Sequence, residues 1–214
     1  MGQASSVFVY FLCVVPHEIA HAFVANKLGD PTAKNMGRLT FNPMAHVDPL
    51  GSALLVLFGF GWAKPVPVNG YYLRNPKRDM AIVALAGPLA NVIAALVGGL
   101  LYNAYILIAY KAGFIYSNIS IYVTSFFSYY IVINATLAIF NLIPFPPLDG
   151  SRILSAFLPD RAYMFLVRYE RIFFIILIVL MSNNLIGSII TAPTYGLAKF
   201  VLWVTGLPFE TFIA

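Results

Sequence analysis

Residues 5–28 read SSVFVYFLCVVPHEIAHAFVANKL, and this stretch decides the fold class. It exceeds the roughly 20 residues that a helix needs to cross a hydrocarbon core of about 30 Å. Apart from Lys27 at its end, its only formally charged side chain is Glu18, in mid-run between His17 and His21. A charge at the centre of a membrane helix costs about 2.5–3.5 kcal/mol on insertion scales, so such residues face a bundle interior or a wet cavity and are seldom idle. The stretch therefore reads as a membrane span and also as a bearer of chemistry.

Working outward, the rest of the chain is of the same kind. The 214 residues are 60% hydrophobic and 10% charged, with mean hydropathy +0.83, against about 45–50% and 25% in a soluble domain. Soluble globular, disordered, collagen-like and coiled-coil classes are excluded. Further apolar runs cover about Met80 to Tyr110, Ile121 to Ile143 and Ile172 to Ile190. A fifth, about Tyr195 to Phe212, is interrupted by Lys199, Gly206 and Pro208 and reads either as a span or as an interfacial segment. The expectation is an all-α polytopic membrane protein with about four to six transmembrane helices. They would form a single membrane-embedded domain over residues 1–214, with a core at 5–171 and C-terminal helices at 172–214. Cys13 is the lone cysteine, so no internal disulfide holds the fold.

Between the first two spans, Leu50 to Trp62 is apolar but too short to cross as a helix. A re-entrant or surface-lying element fits it and returns the chain to the side it left. Lys64-Pro65-Val66-Pro67-Val68 reads as extended, an edge-strand candidate, because proline suits edges rather than helix interiors. With that topology, 11 of the 13 basic residues share one face, leaving Lys111 and Lys199 toward the other. The positive-inside rule makes the basic face cytoplasmic and the N-terminus external, in a multi-pass protein of the cell membrane. The first span, lacking a basic n-region and carrying the motif, is expected to stay uncleaved. The net charge of +5 thus reports topology rather than a nucleic-acid partner, since no basic run is interleaved with aromatics.

In this composition an accidental His-Glu-x-x-His has odds on the order of one in a thousand. On a helix, His17 and His21 share one face and can point at one ion, and Glu18, one step round, can reach a water at that centre. Two imidazoles, a carboxylate and an open position make zinc the default metal. For a third ligand, Asp149 stands out, at the end of Asn141-Leu142-Ile143-Pro144-Phe145-Pro146-Pro147-Leu148-Asp149-Gly150. His46 with Asp48 is the rival pair, read first as turn-forming; Asp79 and Asp30 read as loop and helix-end residues. Ile19 lies nine residues before Leu28, about 13–14 Å along a helix, so the metal would sit within the membrane but nearer the cytoplasm.

The pairing of that zinc motif with Asn-x-x-Pro-x-Pro-Pro-Leu-Asp-Gly in a later span resembles the site-2 protease family of M50-type intramembrane zinc metalloproteases, in its compact prokaryotic branch without PDZ or CBS domains. The resemblance includes Gly29-Asp30-Pro31-Thr32-Ala33, Gly37-Arg38-Leu39-Thr40-Phe41-Asn42-Pro43, Gly61-Trp62-Ala63-Lys64-Pro65-Val66-Pro67-Val68-Asn69 and Ala86-Gly87-Pro88-Leu89-Ala90-Asn91. It covers residues 10 to 155; the C-terminal part carries no matching motif. It implies Zn2+ held by His17, His21 and Asp149, with Glu18 as catalytic base. It also implies cleavage of peptide bonds in transmembrane segments of membrane-protein substrates, in regulated intramembrane proteolysis or removal of membrane-embedded remnants.

Asn91 and Asn141 are amides in spans, costly to bury unsatisfied. They are candidates for binding the substrate backbone or a developing oxyanion, with interhelical hydrogen bonding as the alternative. Lys64 to Val68 is a candidate for pairing with an unwound substrate segment. A metal-ion transporter or metal-binding membrane protein is the rival function, and it gives Glu18 no special task. A prenyl-protein endopeptidase would want a downstream glutamate ligand and leaves Asp149 unexplained. Oligomeric state is not legible.

Overall fold

The computed structural model describes residues 3–58, 61–183 and 185–209. Among these there are helices and no strands: α1 (Gln3–Lys27), α2 (Thr32–Asn35), α3 (Pro49–Phe58), α4 (Pro76–Lys111), α5 (Asn118–Asn141), α6 (Asp149–Ser155), α7 (Asp160–Arg168), α8 (Glu170–Ser182) and α9 (Leu185–Gly206). Four helices, α1, α4, α5 and α9, are long and apolar enough to cross a membrane. The chain is a polytopic all-α membrane protein.

Helix starts follow local chemistry. Ser117 accepts from Ser120 N ahead of α5, Asp48 accepts from Gly51 N at the first turn of α3, and Asp79 accepts from Asn75 N across the start of α4, where Pro76 fills the first position. Pro16 sits inside α1 and Pro88 inside α4 without ending either helix.

The 36-residue α4, about 54 Å long, is the axis of the bundle, with α1, α5, α6 and α9 packed around it. Where α4, α5 and α9 meet, Ala95, Ile131, Ala135, Ala198 and Val201 form a buried cluster. Small residues here let backbones approach, as packing between helices in lipid requires.

The segment between α1 and α4 is a hairpin of helix α3 and an irregular return strand of chain. Gly51 and Gly61 cross so closely that a Cβ on either would strike the other arm's backbone. Gly59, part of the expected apolar element, lies outside the described residues. Residues 64–68 pair with no neighbouring strand; other elements hold them instead. Lys64 N donates to His46 O (2.9 Å), Arg38 donates to Lys64 O, Val66 N donates to Glu18 Oε2 (3.1 Å) and Asn69 N donates to Asp30 Oδ2 (2.6 Å).

The C-terminal spans divide differently from the expectation of 172–190 and 195–212. The chain turns at Asn183, leaving α8 at 13 residues, about 20 Å and short of a hydrocarbon core. The crossing helix is α9, which takes the end of one expected span and most of the other, absorbing Pro193 and Lys199. Residues 210–212 of the expected fifth segment fall outside the described part. One face of α8 (Phe174, Leu177, Ile178, Met181) lines an internal cavity, while Ile172, Ile175 and Val179 are exposed on the other.

Candidate metal centre

His17 and His21 lie one turn apart on the inner face of α1, both buried, with their Nε2 atoms 3.0 Å apart. Asp149, the first residue of α6, brings Oδ2 to 3.2 Å from each Nε2. These are the residues that sequence reading grouped, and their ligand-type atoms all fall within 4.8 Å of one another. The path to Asp149 runs through Pro144, Pro146 and Pro147, with a cis bond between the last two, and proline's missing amide ends α5 just before it.

Both imidazoles lean on α4. His17 Nδ1 meets Asn91 Oδ1 (2.6 Å) and His21 Nδ1 meets Val83 O (2.7 Å). Val83, Gly87 and Asn91 are four residues apart and so share one helix face. Gly87, between them, is the floor. A Cβ there would lie 2.5 Å from Cε1 of both rings.

The hydrogen-bond chain fixes the tautomers. Asn91 Nδ2 donates to Cys13 O (3.1 Å) and Asn134 Oδ1 (2.8 Å), and Asn134 Nδ2 donates to Tyr130 O (3.0 Å) and Cys13 Sγ (3.1 Å). Carbonyls only accept, so Asn91 must turn its oxygen to His17, whose Nδ1 donates. Val83 O likewise makes His21 Nδ1 a donor. Both Nε2 atoms then carry lone pairs toward each other and toward Asp149 Oδ2, which is buried with no hydrogen-bond donor. Three acceptors facing one point without a donor call for a cation. A tetrahedral zinc with bonds of about 2.0–2.1 Å has ligand atoms about 3.3 Å apart, close to the triangle formed here. The donor set fits the metal.

Glu18 is half-buried and lines the same cavity, of about 390 Å³. Its Oε2 takes the Val66 amide, which leaves Oε1 free of protein partners among the described residues. Arg38 is buried behind the return segment; burial pushes its guanidinium below the ordinary arginine range, and the Glu18 carboxylate opposes that. The cavity wall is otherwise mostly apolar, with Tyr10, Val14, Leu137, Phe140, Leu148 and Leu177 among its residues. Trp62 of the hairpin meets Phe174 of α8 edge to face, centroids 5.1 Å apart, across its rim.

The two asparagines part company. Asn141 lines the cavity, one Nδ2 hydrogen returning to Leu137 O (3.0 Å). Asn91 is fully buried behind His17, its carboxamide consumed by the network above, as the interhelical alternative describes. His46 and Asp48 stand apart from the cluster. His46 is fully buried against Thr40 O, and Asp48 accepts from Gly51 N. Sequence reading missed the Val83–Gly87–Asn91 face and the Glu18–Val66 contact. The four-residue spacing was a signal for the first; the second, spanning 48 positions, left none.

Peptidase family M50 matches residues 5–182. The chain is 40% identical over 183 residues, 83% of its length, to "Putative zinc metalloprotease YwhC" of Bacillus subtilis, covering 79% of that protein. It is 30% identical over 79% of its length to "Putative zinc metalloprotease Rip2" of Mycolicibacterium smegmatis. Against "Putative zinc metalloprotease MJ0611" of Methanocaldococcus jannaschii it is 32% identical over 65% of its length. It spans 62% and 63% of those two longer proteins. No solved structure matches it.

Proposed function

The chain belongs to peptidase family M50 and is a membrane metalloprotease, and from that premise we propose that it is a zinc endopeptidase cutting peptide bonds within transmembrane segments of other proteins. His17, His21 and Asp149 would hold the ion through Nε2, Nε2 and Oδ2. The observation that carries this reading is the meeting of three donor-less acceptors from two separate helices beside a free carboxylate oxygen, on the wall of an apolar cavity.

When bound, zinc polarises the scissile carbonyl and lowers the pKa of water toward about 7. Glu18 Oε1 takes the proton of the attacking water and delivers it to the leaving amine, while the Val66 amide holds Oε2 and so fixes the carboxylate plane. Asn141 offers the rest of its carboxamide to a substrate backbone unwound in the cavity. Apolar side chains of a membrane segment suit Val14, Phe140, Leu177 and Met181, and α8 screens the reacting bond from lipid. Lys27 ends α1, Lys77 and Arg78 lie at the start of α4, and Arg152 lies in α6 just after Asp149, so the positive-inside rule favours cleavage toward the cytoplasm with the N-terminus outside.

The test is Glu18→Gln in the purified chain, with single-span substrates in detergent and zinc measured alongside. Zinc retained with cleavage lost supports the reading. Cleavage retained by Glu18→Gln, or wild-type cleavage that survives complete chelation of zinc, overturns it.

A further inference from the structure

We propose that Asn91 is the positioning residue of this metal centre, its carboxamide holding His17 as the Nδ1-protonated tautomer with Nε2 presented to the ion. The inference rests on His17 being a zinc ligand, as proposed above. The two imidazoles are supported unequally. His21 leans on a main-chain carbonyl, Val83 O, which no substitution deletes, whereas His17 leans on one side-chain oxygen, Asn91 Oδ1 at 2.6 Å. Neutral imidazole carries its proton on either nitrogen, and the partner of the other nitrogen decides which.

Asn91 is itself kept from flipping. Its Nδ2 hydrogens are fixed by Cys13 O and Asn134 Oδ1, so one carboxamide bridges positions 13 and 17 of α1, one turn apart, and ties both to α5. Asn91 and Asn134 are both fully buried. Were the amide reversed, Nδ2 would face His17 and Oδ1 would face a carbonyl that only accepts. The network therefore admits one orientation, and that orientation passes a single tautomer to His17. Outer partners of this kind set ligand basicity and ring angle, and losing one lowers metal affinity about 10–100-fold.

A purely structural role for Asn91, interhelical glue, predicts something else. Asn134→Leu cuts the ties among α1, α4 and α5 without touching His17, since Cys13 O still orients Asn91. The experiment measures zinc affinity by chelator competition on the full chain in detergent, together with thermal unfolding in excess chelator. Asn91→Leu is expected to bind zinc about 10–100-fold more weakly than wild type. Asn91→Asp keeps an acceptor for Nδ1, and in its protonated form one donor toward Cys13 O or Asn134 Oδ1 in place of the two of the amide, so it should recover part of that affinity. Asn134→Leu should unfold at a lower temperature yet bind zinc close to wild type. The visible spectrum of the cobalt-substituted protein should shift in Asn91→Leu and not in Asn134→Leu. If Asn91→Leu does not fold, Asn91→Ala takes its place in the same comparison.

The proposal is overturned if Asn91→Leu holds zinc like wild type, or if Asn134→Leu loses as much affinity as Asn91→Leu. His17→Ala separates this from the reading beneath it. Full zinc affinity in His17→Ala sinks the ligand assignment itself, whereas zinc lost in His17→Ala but kept in Asn91→Leu sinks only the positioning role.

Discussion

Replacing Gly87 with alanine adds one methyl group to the floor of the metal centre, and the structure sets how much must give. The new Cβ would lie 2.5 Å from Cε1 of both His17 and His21. Carbon atoms in contact sit about 3.5–4.0 Å apart, so each ring must retreat by about 1 Å. The rings cannot swing aside cheaply, because their Nδ1 atoms are tied to Asn91 and Val83 on the same helix face as Gly87. Moving α1 as a body is resisted by Cys13, Ala22 and Ala25, all fully buried. Asp149 comes from a different helix and does not follow. Ligand distances must hold within about 0.2 Å for a metal site to form, so a 1 Å retreat of two ligands from three should weaken zinc binding by more than the 10–100-fold of a lost outer partner. Residual cleavage should fall by at least about 100-fold.

The assay is chelator competition for zinc beside cleavage of a single-span substrate. Gly98→Ala is the control, since its Cβ would press on Tyr130 at 2.7 Å, away from the imidazoles. It should destabilise by about 1–3 kcal/mol, the usual range for overpacking, and leave zinc affinity alone. Wild-type zinc affinity in Gly87→Ala would show that the imidazoles are not held against this floor and would refute the reasoning.

Two further outcomes test how a substrate is received. Val66→Pro deletes the amide that holds Glu18, so a slower enzyme there says nothing about strand pairing. Val68 lines the cavity and its amide has no partner among the described residues, so Val68→Pro is the informative change; it should raise KM with zinc content intact, and an unchanged KM would exclude backbone pairing along this segment. Phe174→Ala removes the edge-to-face contact with Trp62 that joins α8 to the hairpin, worth about 0.5–1.5 kcal/mol. If α8 must yield before a substrate reaches the site, kcat/KM should rise several-fold, up to about tenfold for that energy; an unchanged or lower value would mean that access lies elsewhere.

What was legible in the sequence, and what was not, divides along the range of the interactions. His17, Glu18 and His21 are local: four-residue spacing on one helix places them, and the cost of burying polar groups in lipid marks them as functional before any contact is known. Asp149 lies far along the chain, but few carboxylates occur at membrane depth, so scarcity did the work that spacing did for the histidines. The break at Asn183 carried a local signal, the polar Ser182-Asn183-Asn184, but averaged hydropathy runs across so short an interruption between two apolar stretches. Tertiary packing holds the turn: Leu177 and Ile186, on either side of it, pack with Leu148 beside the metal centre. Residues 64–68 show the same limit from the other side. Alternating prolines announce an extended chain with few donors, but whether those donors meet a strand or a side-chain carboxylate depends on what α1 presents opposite, and there α1 presents Glu18. Glu18 is thus oriented by the very segment that walls its cavity, so on the function proposed above any substrate that displaces residues 64–68 also releases the carboxylate that is to deprotonate the attacking water.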